Sequence, residues 1–215
     1  MGQLQQFQAI EANPPAHIAL ANGCEVLTDV YRSETQLVIW RRAAPVDTGG
    51  LAPLLARPAE WRVLLKPDEV AAYFQRTLPD CAAREQLAED VALLADMYAC
   101  LFDLQQVGVR LSVLDRTMCP RFHADRVLCR LLTTYTGTGT EYISTGEPTA
   151  SILERCRSSD EANGQAMRLP VSELTCGDVA LCKGSQWPGN EEHGLVHRSP
   201  SPGETSRLLL SLDAA

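Results

Sequence analysis

Two periods divide this chain near Gly108. Upstream, apolar positions recur at helical spacing. Leu87, Val91, Leu94, Tyr98 and Leu101 are separated by four, three, four and three residues, which puts them on one face of a helix. The pattern predicts a helix over 80–104, capped by Asp80, with its stripe covering the outside of a sheet. A shorter helix is predicted to begin at Pro67-Asp-Glu, since proline suits the first helical position and acids suit its positive end. Val70, Tyr73, Phe74 and Leu78 form its apolar side. Residues 36–40 read as a strand, and 45–58, containing Asp47-Thr-Gly-Gly50, read as loop.

Downstream, short β-like runs alternate with Gly, Pro and Asp breaks: 109–114, 130–135, 140–143, 167–171, 179–183, 194–197 and 207–212. Strands this short and this evenly spaced indicate a sandwich or barrel. In the last run Leu208, Leu210 and Leu212 share one face, and Arg207, Leu209 and Ser211 share the other. The leucine face is expected to pack against the helices, which turns Arg207 into the barrel. The longest break, 144–165, reads as a solvated insertion with its tip at 158–164, or as a lid. The fold class expected is α+β. Residues 1–107 supply a strand and helices that support a β core over 108–215, the two forming one structural unit.

Composition narrows the function. A net charge of −8 and a pI near 5.0 argue against a broad nucleic-acid-binding face, which needs clustered Lys and Arg. A local basic pocket for a small acid stays open. No apolar run reaches a membrane span, and Met1 to Ile10 is polar and Gln-rich, so a cytoplasmic protein is expected. The eight cysteines are then mostly reduced core thiols, and no Cys-x-x-Cys pair suggests a zinc ribbon. Arg41-Arg42 reads as a strand end leaving the core, with anion binding as the alternative.

The candidate chemistry lies in Cys119-Pro-Arg-Phe-His-Ala-Asp125 and Gly194-Leu-Val-His-Arg-Ser-Pro200. His123 and Asp125, at i and i+2, share a face if that segment is extended. With His197 they make two imidazoles and a carboxylate, the donor set of non-haem Fe(II) sites. Arg207 follows His197 by ten residues on the next and last strand. A buried Arg needs an anionic partner, and a bound carboxylate would supply one. Cys119 is a fourth candidate ligand and would suit zinc better; the competing reading is a thiol beside a proline turn. His193 is read as a surface residue or one lining the entrance. Tyr135 is read as a hydrogen-bond donor to a co-substrate, or else as core. Arg126 or Arg130 is a candidate for substrate binding, and Trp187-Pro-Gly189 for a substrate wall.

Residues 108–215 resemble the double-stranded β-helix, a jelly-roll or cupin-like barrel, of the Fe(II)/2-oxoglutarate dioxygenases. The resemblance implies that His123, Asp125 and His197 hold Fe(II), that Arg207 binds the distal carboxylate of 2-oxoglutarate, and that a small molecule or protein side chain is hydroxylated. The Gly177-Asp178 turn before the distal His strand fits the same barrels. More closely, the chain is similar to a bacterial family called domain of unknown function 1826. The resemblance rests on the two stretches above and on Arg130-Leu-Leu-Thr-Thr-Tyr-Thr-Gly-Thr-Gly-Thr-Glu141, Lys183-Gly-Ser-Gln-Trp-Pro-Gly189 and Arg207-Leu-Leu-Leu-Ser-Leu-Asp213. That family is associated with gene neighbourhoods of metal-handling GTPases, which is compatible with a metal-linked role. Two alternatives stand beside the oxygenase: a zinc-binding jelly roll for metal homeostasis, and a hydrolase or lyase using a metal-bound water.

Overall fold

The structure is a computed structural model that describes residues 15–158, 169–201, 203 and 205–214. Eleven strands among them form two sheets. The strands are β1 (Ile18–Ala21), β2 (Leu37–Trp40), β3 (Ala59–Leu65), β4 (Val107–Leu114), β5 (His123–Ala124), β6 (Cys129–Thr136), β7 (Glu141–Ile143), β8 (Val171–Glu173), β9 (Val179–Lys183), β10 (Val196–Arg198) and β11 (Arg207–Ala214). The larger sheet has the order β1-β2-β9-β6-β11-β4-β3 and the smaller the order β5-β10-β7-β8. Only the β1–β2 pair among these is parallel. Three strands of the larger sheet come from the first half of the chain, so the two halves share one sheet.

Helices α1 (Ala52–Leu55), α2 (Pro67–Thr77) and α3 (Arg84–Phe102) precede β4, and α4 (Thr149–Ser158) follows β7. The stripe of α3 is buried at Leu87, Val91, Leu94 and Tyr98, and packs with Leu208, Leu210 and Leu212 of β11 in one core cluster. The leucine face of the last strand therefore meets the helices, as its alternation requires. Tyr98 keeps its hydroxyl satisfied by donating to the carbonyl of Cys129 at 2.7 Å. A second cluster fills the space between the sheets, with Leu37, Ile39, Leu132, Cys182, Tyr142 and Leu195 among its members. A third lies under α4 on the outer face of the smaller sheet.

Several local expectations need correction. α3 starts at Arg84 and not at Asp80. Asp80 is exposed and pairs with Arg84 at 3.3 Å, which uses its carboxylate on a side chain instead of on the helix amides. The helix ends on Asp103 at φ 52°, a left-handed position that Asp tolerates better than most residues. Residues 45–58 are not all loop, since a 3₁₀ turn over Gly49–Leu51 runs into α1. β3 was not among the expected strands, although Trp61, Val63 and Leu65 alternate with Glu60, Arg62 and Leu64. The insertion 144–165 contains α4. Its expected tip at 158–164 falls almost entirely outside the described residues, and the lid reading of 144–165 falls partly outside them. The expected strand 167–171 is found displaced, as β8.

Candidate metal centre

The centre is built on one antiparallel pairing. β5 and β10 place His123 directly opposite His197, with ring centroids 4.7 Å apart. Cross-strand neighbours at this spacing can present two ring nitrogens to one point. Asp125 follows His123 by two residues. Its Oδ1 lies 3.6 Å from His123 Nε2, and its Oδ2 lies 3.5 Å from His197 Nε2. One donor atom from each of the three residues falls within 4.8 Å of the others. Among the described residues this is the one His/Cys/Asp/Glu group of metal-binding geometry.

Both rings are oriented by main-chain carbonyls two residues upstream. His123 Nδ1 lies 2.9 Å from the carbonyl of Arg121, and His197 Nδ1 lies 3.1 Å from the carbonyl of Leu195. A carbonyl oxygen only accepts, so each Nδ1 carries a hydrogen, and in the neutral form of such a ring the lone pair is on Nε2. Burial lowers the His197 pKa, partly opposed by the charge of Asp125, and this favours the neutral ring that binds metals. Asp125 is held from two sides. Arg130 Nη1 donates to its Oδ2 at 2.7 Å, while Ser185 donates to its main-chain carbonyl through N (2.9 Å) and Oγ (3.3 Å). Arg130 also grips Asp213 through Nε and Nη2. Burial alone would lower the Arg130 pKa, but the Asp213 hydrogen bond and the charges of Asp125 and Asp213 raise it.

Gly184 explains how the 184–186 turn gets so close. A Cβ there would stand 2.1 Å from the Val127 carbonyl oxygen and 2.8 Å from that of Asp125. A side chain cannot fit this approach.

The two histidines open into a cavity of about 460 Å³ between the sheets, and Arg207 also lines it. Arg207 is buried, and its described partners are hydroxyls: Nη2 donates to Thr134 Oγ1 at 3.1 Å and to Thr140 Oγ1 at 2.7 Å. Its Nε is buried without a hydrogen-bond partner. Burial pulls its pKa down to about 10, which still leaves it charged at neutral pH. A charged, buried guanidinium beside a cavity is chemically suited to hold a carboxylate.

A family model described as a protein of unknown function, DUF1826, matches residues 21–213. The chain belongs to the DUF1826 family. No curated protein matches it in sequence. Among solved structures, this DUF1826 chain is similar to the rice dioxygenase for auxin oxidation, with 12% identity and a TM-score of 0.53 over 93% of this chain and 83% of that one. It is also similar to a full-length Neurospora crassa protein solved in complex with alpha-KG. That match has 8% identity and a TM-score of 0.50, over 92% of this chain and 83% of the other. At these identities the likeness is one of fold.

The other candidates are placed differently. Tyr135 is not a cavity residue: it is fully buried on the helix side and donates to Asp90 Oδ2 at 2.7 Å. Arg42 grips the same carboxylate with Nη1 and Nη2, so it is a core ion pair and not an anion site. Period two already separated these faces, because Tyr135 is an odd step from Arg130 and Thr134 an even one. Trp187 packs against Tyr31 and Phe102 at the edge of the helical core and forms no cavity wall. Cys119 lines the cavity but stands outside the three-residue group, pinned through its main chain to Ser199. His193 and Arg126 are not among the lining residues described; Arg130 is. Thr134, Thr140 and Gly184 were not anticipated, since the roles of all three depend on a partner from a distant segment of the chain.

Proposed function

We propose that this DUF1826 protein is an Fe(II)/2-oxoglutarate-dependent oxygenase built on a double-stranded β-helix. The observation that carries the reading is one cavity holding both halves of such a site. At one place His123, Asp125 and His197 converge, and at another the buried Arg207 has no acidic partner among the described residues. The donor set fits the metal, since two neutral imidazole nitrogens and a carboxylate form a facial triad that leaves coordination positions open. Similarity of fold to a dioxygenase and to a protein solved with alpha-KG supports the reading.

Bound Fe(II) and 2-oxoglutarate would supply the oxidation of a substrate C–H to C–OH by O₂, one oxygen atom entering the product and the other succinate as CO₂ leaves. The protein's own part is positional. His123 and His197 would each hold the metal through Nε2, with Nδ1 anchored to main-chain carbonyls. Arg130 would hold the Asp125 carboxylate turned toward the two rings. Arg207, backed by Thr134 and Thr140, would bind the far carboxylate. The enclosing sheets would exclude water from the reacting centre.

Anaerobic titration with Fe(II) and then 2-oxoglutarate tests this directly. A weak visible charge-transfer band that needs both additions, and that disappears in His197→Ala, is the expected result. Zinc binding at one equivalent with no such band would replace the oxygenase by a zinc protein or a hydrolytic enzyme.

A further inference from the structure

The cavity carries more positive charge than the metal and co-substrate reading uses. Five arginines line it, Arg62, Arg110, Arg130, Arg198 and Arg207, against Asp213 as the one carboxylate among the lining residues. This is a local reversal in a chain of net charge −8. Arg130 is committed to Asp125 and Asp213. Arg198 is committed to Glu141 and lies 4.3 Å from the Phe122 ring centroid. Arg207 is assigned above.

The remaining two face each other. Arg62 on β3 is the register partner of Arg110 on β4. Like charges directly opposite on a sheet repel and lower stability. Glu60, on the same face as Arg62, relieves this in part by accepting from Arg110 Nε (2.9 Å) and Nη2 (2.5 Å). Among the described residues, no carboxylate pairs with Arg62. Beside this pair Leu64 is 49% exposed, and Leu209 continues an apolar wall into the cavity.

We propose that this β3–β4 side of the cavity is the substrate-recognition site, and that the substrate is an organic compound carrying a carboxylate or phosphate. Arg62 binds the oxyanion with its planar fork, Arg110 adds Nη1 while its Nε and Nη2 stay on Glu60, and Leu64 and Leu209 take the apolar body. Its designation as a substrate rests on the oxygenase reading; the anion site rests on β3 and β4 alone.

Hexyl phosphate and the neutral hexanamide serve as probes, titrated calorimetrically into the full chain with 2-oxoglutarate in excess. Hexyl phosphate is expected to bind more tightly than hexanamide. Arg62→Gln, an exposed change, is expected to weaken hexyl phosphate on the order of tenfold, as for one lost charge-assisted contact. Glu60→Gln, which frees Arg110, is expected to tighten it several-fold. Hexanoate in the same series separates a carboxylate preference from a phosphate one. Equal binding of hexyl phosphate and hexanamide, or affinities unmoved by Arg62→Gln and Glu60→Gln, would overturn the anion site. 2-Oxoglutarate titrated alone reports on the other reading. Its failure to bind, alongside Arg62-dependent binding of hexyl phosphate, would remove the oxygenase and leave the anion site standing.

Discussion

Arg207 carries its charge into a buried position where, among the described residues, two threonine hydroxyls are its partners in place of an acid. A buried charge without a counter-ion opposes folding, and apolar residues of similar volume often replace such groups at no loss. Arg207→Met is therefore expected to leave the ligand-free protein as stable as before, or to stabilise it by up to about 3 kcal/mol. The same change should weaken 2-oxoglutarate at least about tenfold. Urea unfolding without ligand and calorimetric titration of 2-oxoglutarate check the two halves. A loss of several kcal/mol in the ligand-free protein would instead make Arg207 a structural strut. The inward turn of this residue was legible in the alternation of the last strand. Its missing partner was not, because Thr134 and Thr140 lie 73 and 67 residues away along the chain.

At the scale of elements, the centre depends on short pieces that would not stand alone. β5 has two residues and β10 has three. Their pairing is held from behind by the turn after β9, where Ser185 reaches Asp125 and Gly184 presses against the main chain at Val127. Gly184→Ala would put a methyl carbon 2.1 Å from a carbonyl oxygen that belongs to backbone and cannot swing aside. The expected cost is about 2–4 kcal/mol, with weakened metal binding because Asp125 is displaced. Denaturant unfolding and an Fe(II) titration under nitrogen measure both; a fully stable variant with unchanged metal affinity would show that the turn does not hold the ligand. Helices α2 and α3 were readable because their stripes repeat over several turns. β3 carried an alternation just as regular, but only seven residues long and beside a helical region, so its period was not distinctive.

For the whole molecule, His123 and His197 come from two strands of the smaller sheet, Asp125 from the residue after β5, and Arg207 from the larger sheet, so the proposed site exists only when the sheets are stacked. A ligand that binds only the folded state stabilises all of it. At a hundredfold excess over Kd, Fe(II) is expected to add about 2.7 kcal/mol, or a Tm rise of roughly 5–10 °C. Anaerobic scanning calorimetry should register that rise in the natural protein and lose it in His123→Ala. Taken by itself, the sequence determined the periods, hence the helix stripe, the short strands and the face on which Arg207 lies. It also carried His123, Asp125 and His197 as a recognisable set, because residue type and local spacing are properties of a single segment. Only the tertiary structure decided that Asp90 is the partner of Tyr135 and that Trp187 belongs to the helical core. It alone set Arg62 opposite Arg110 at the open side of the cavity. Those outcomes depend on which strands become neighbours and in what register, and register is a relation between distant segments that no single stretch of chain contains.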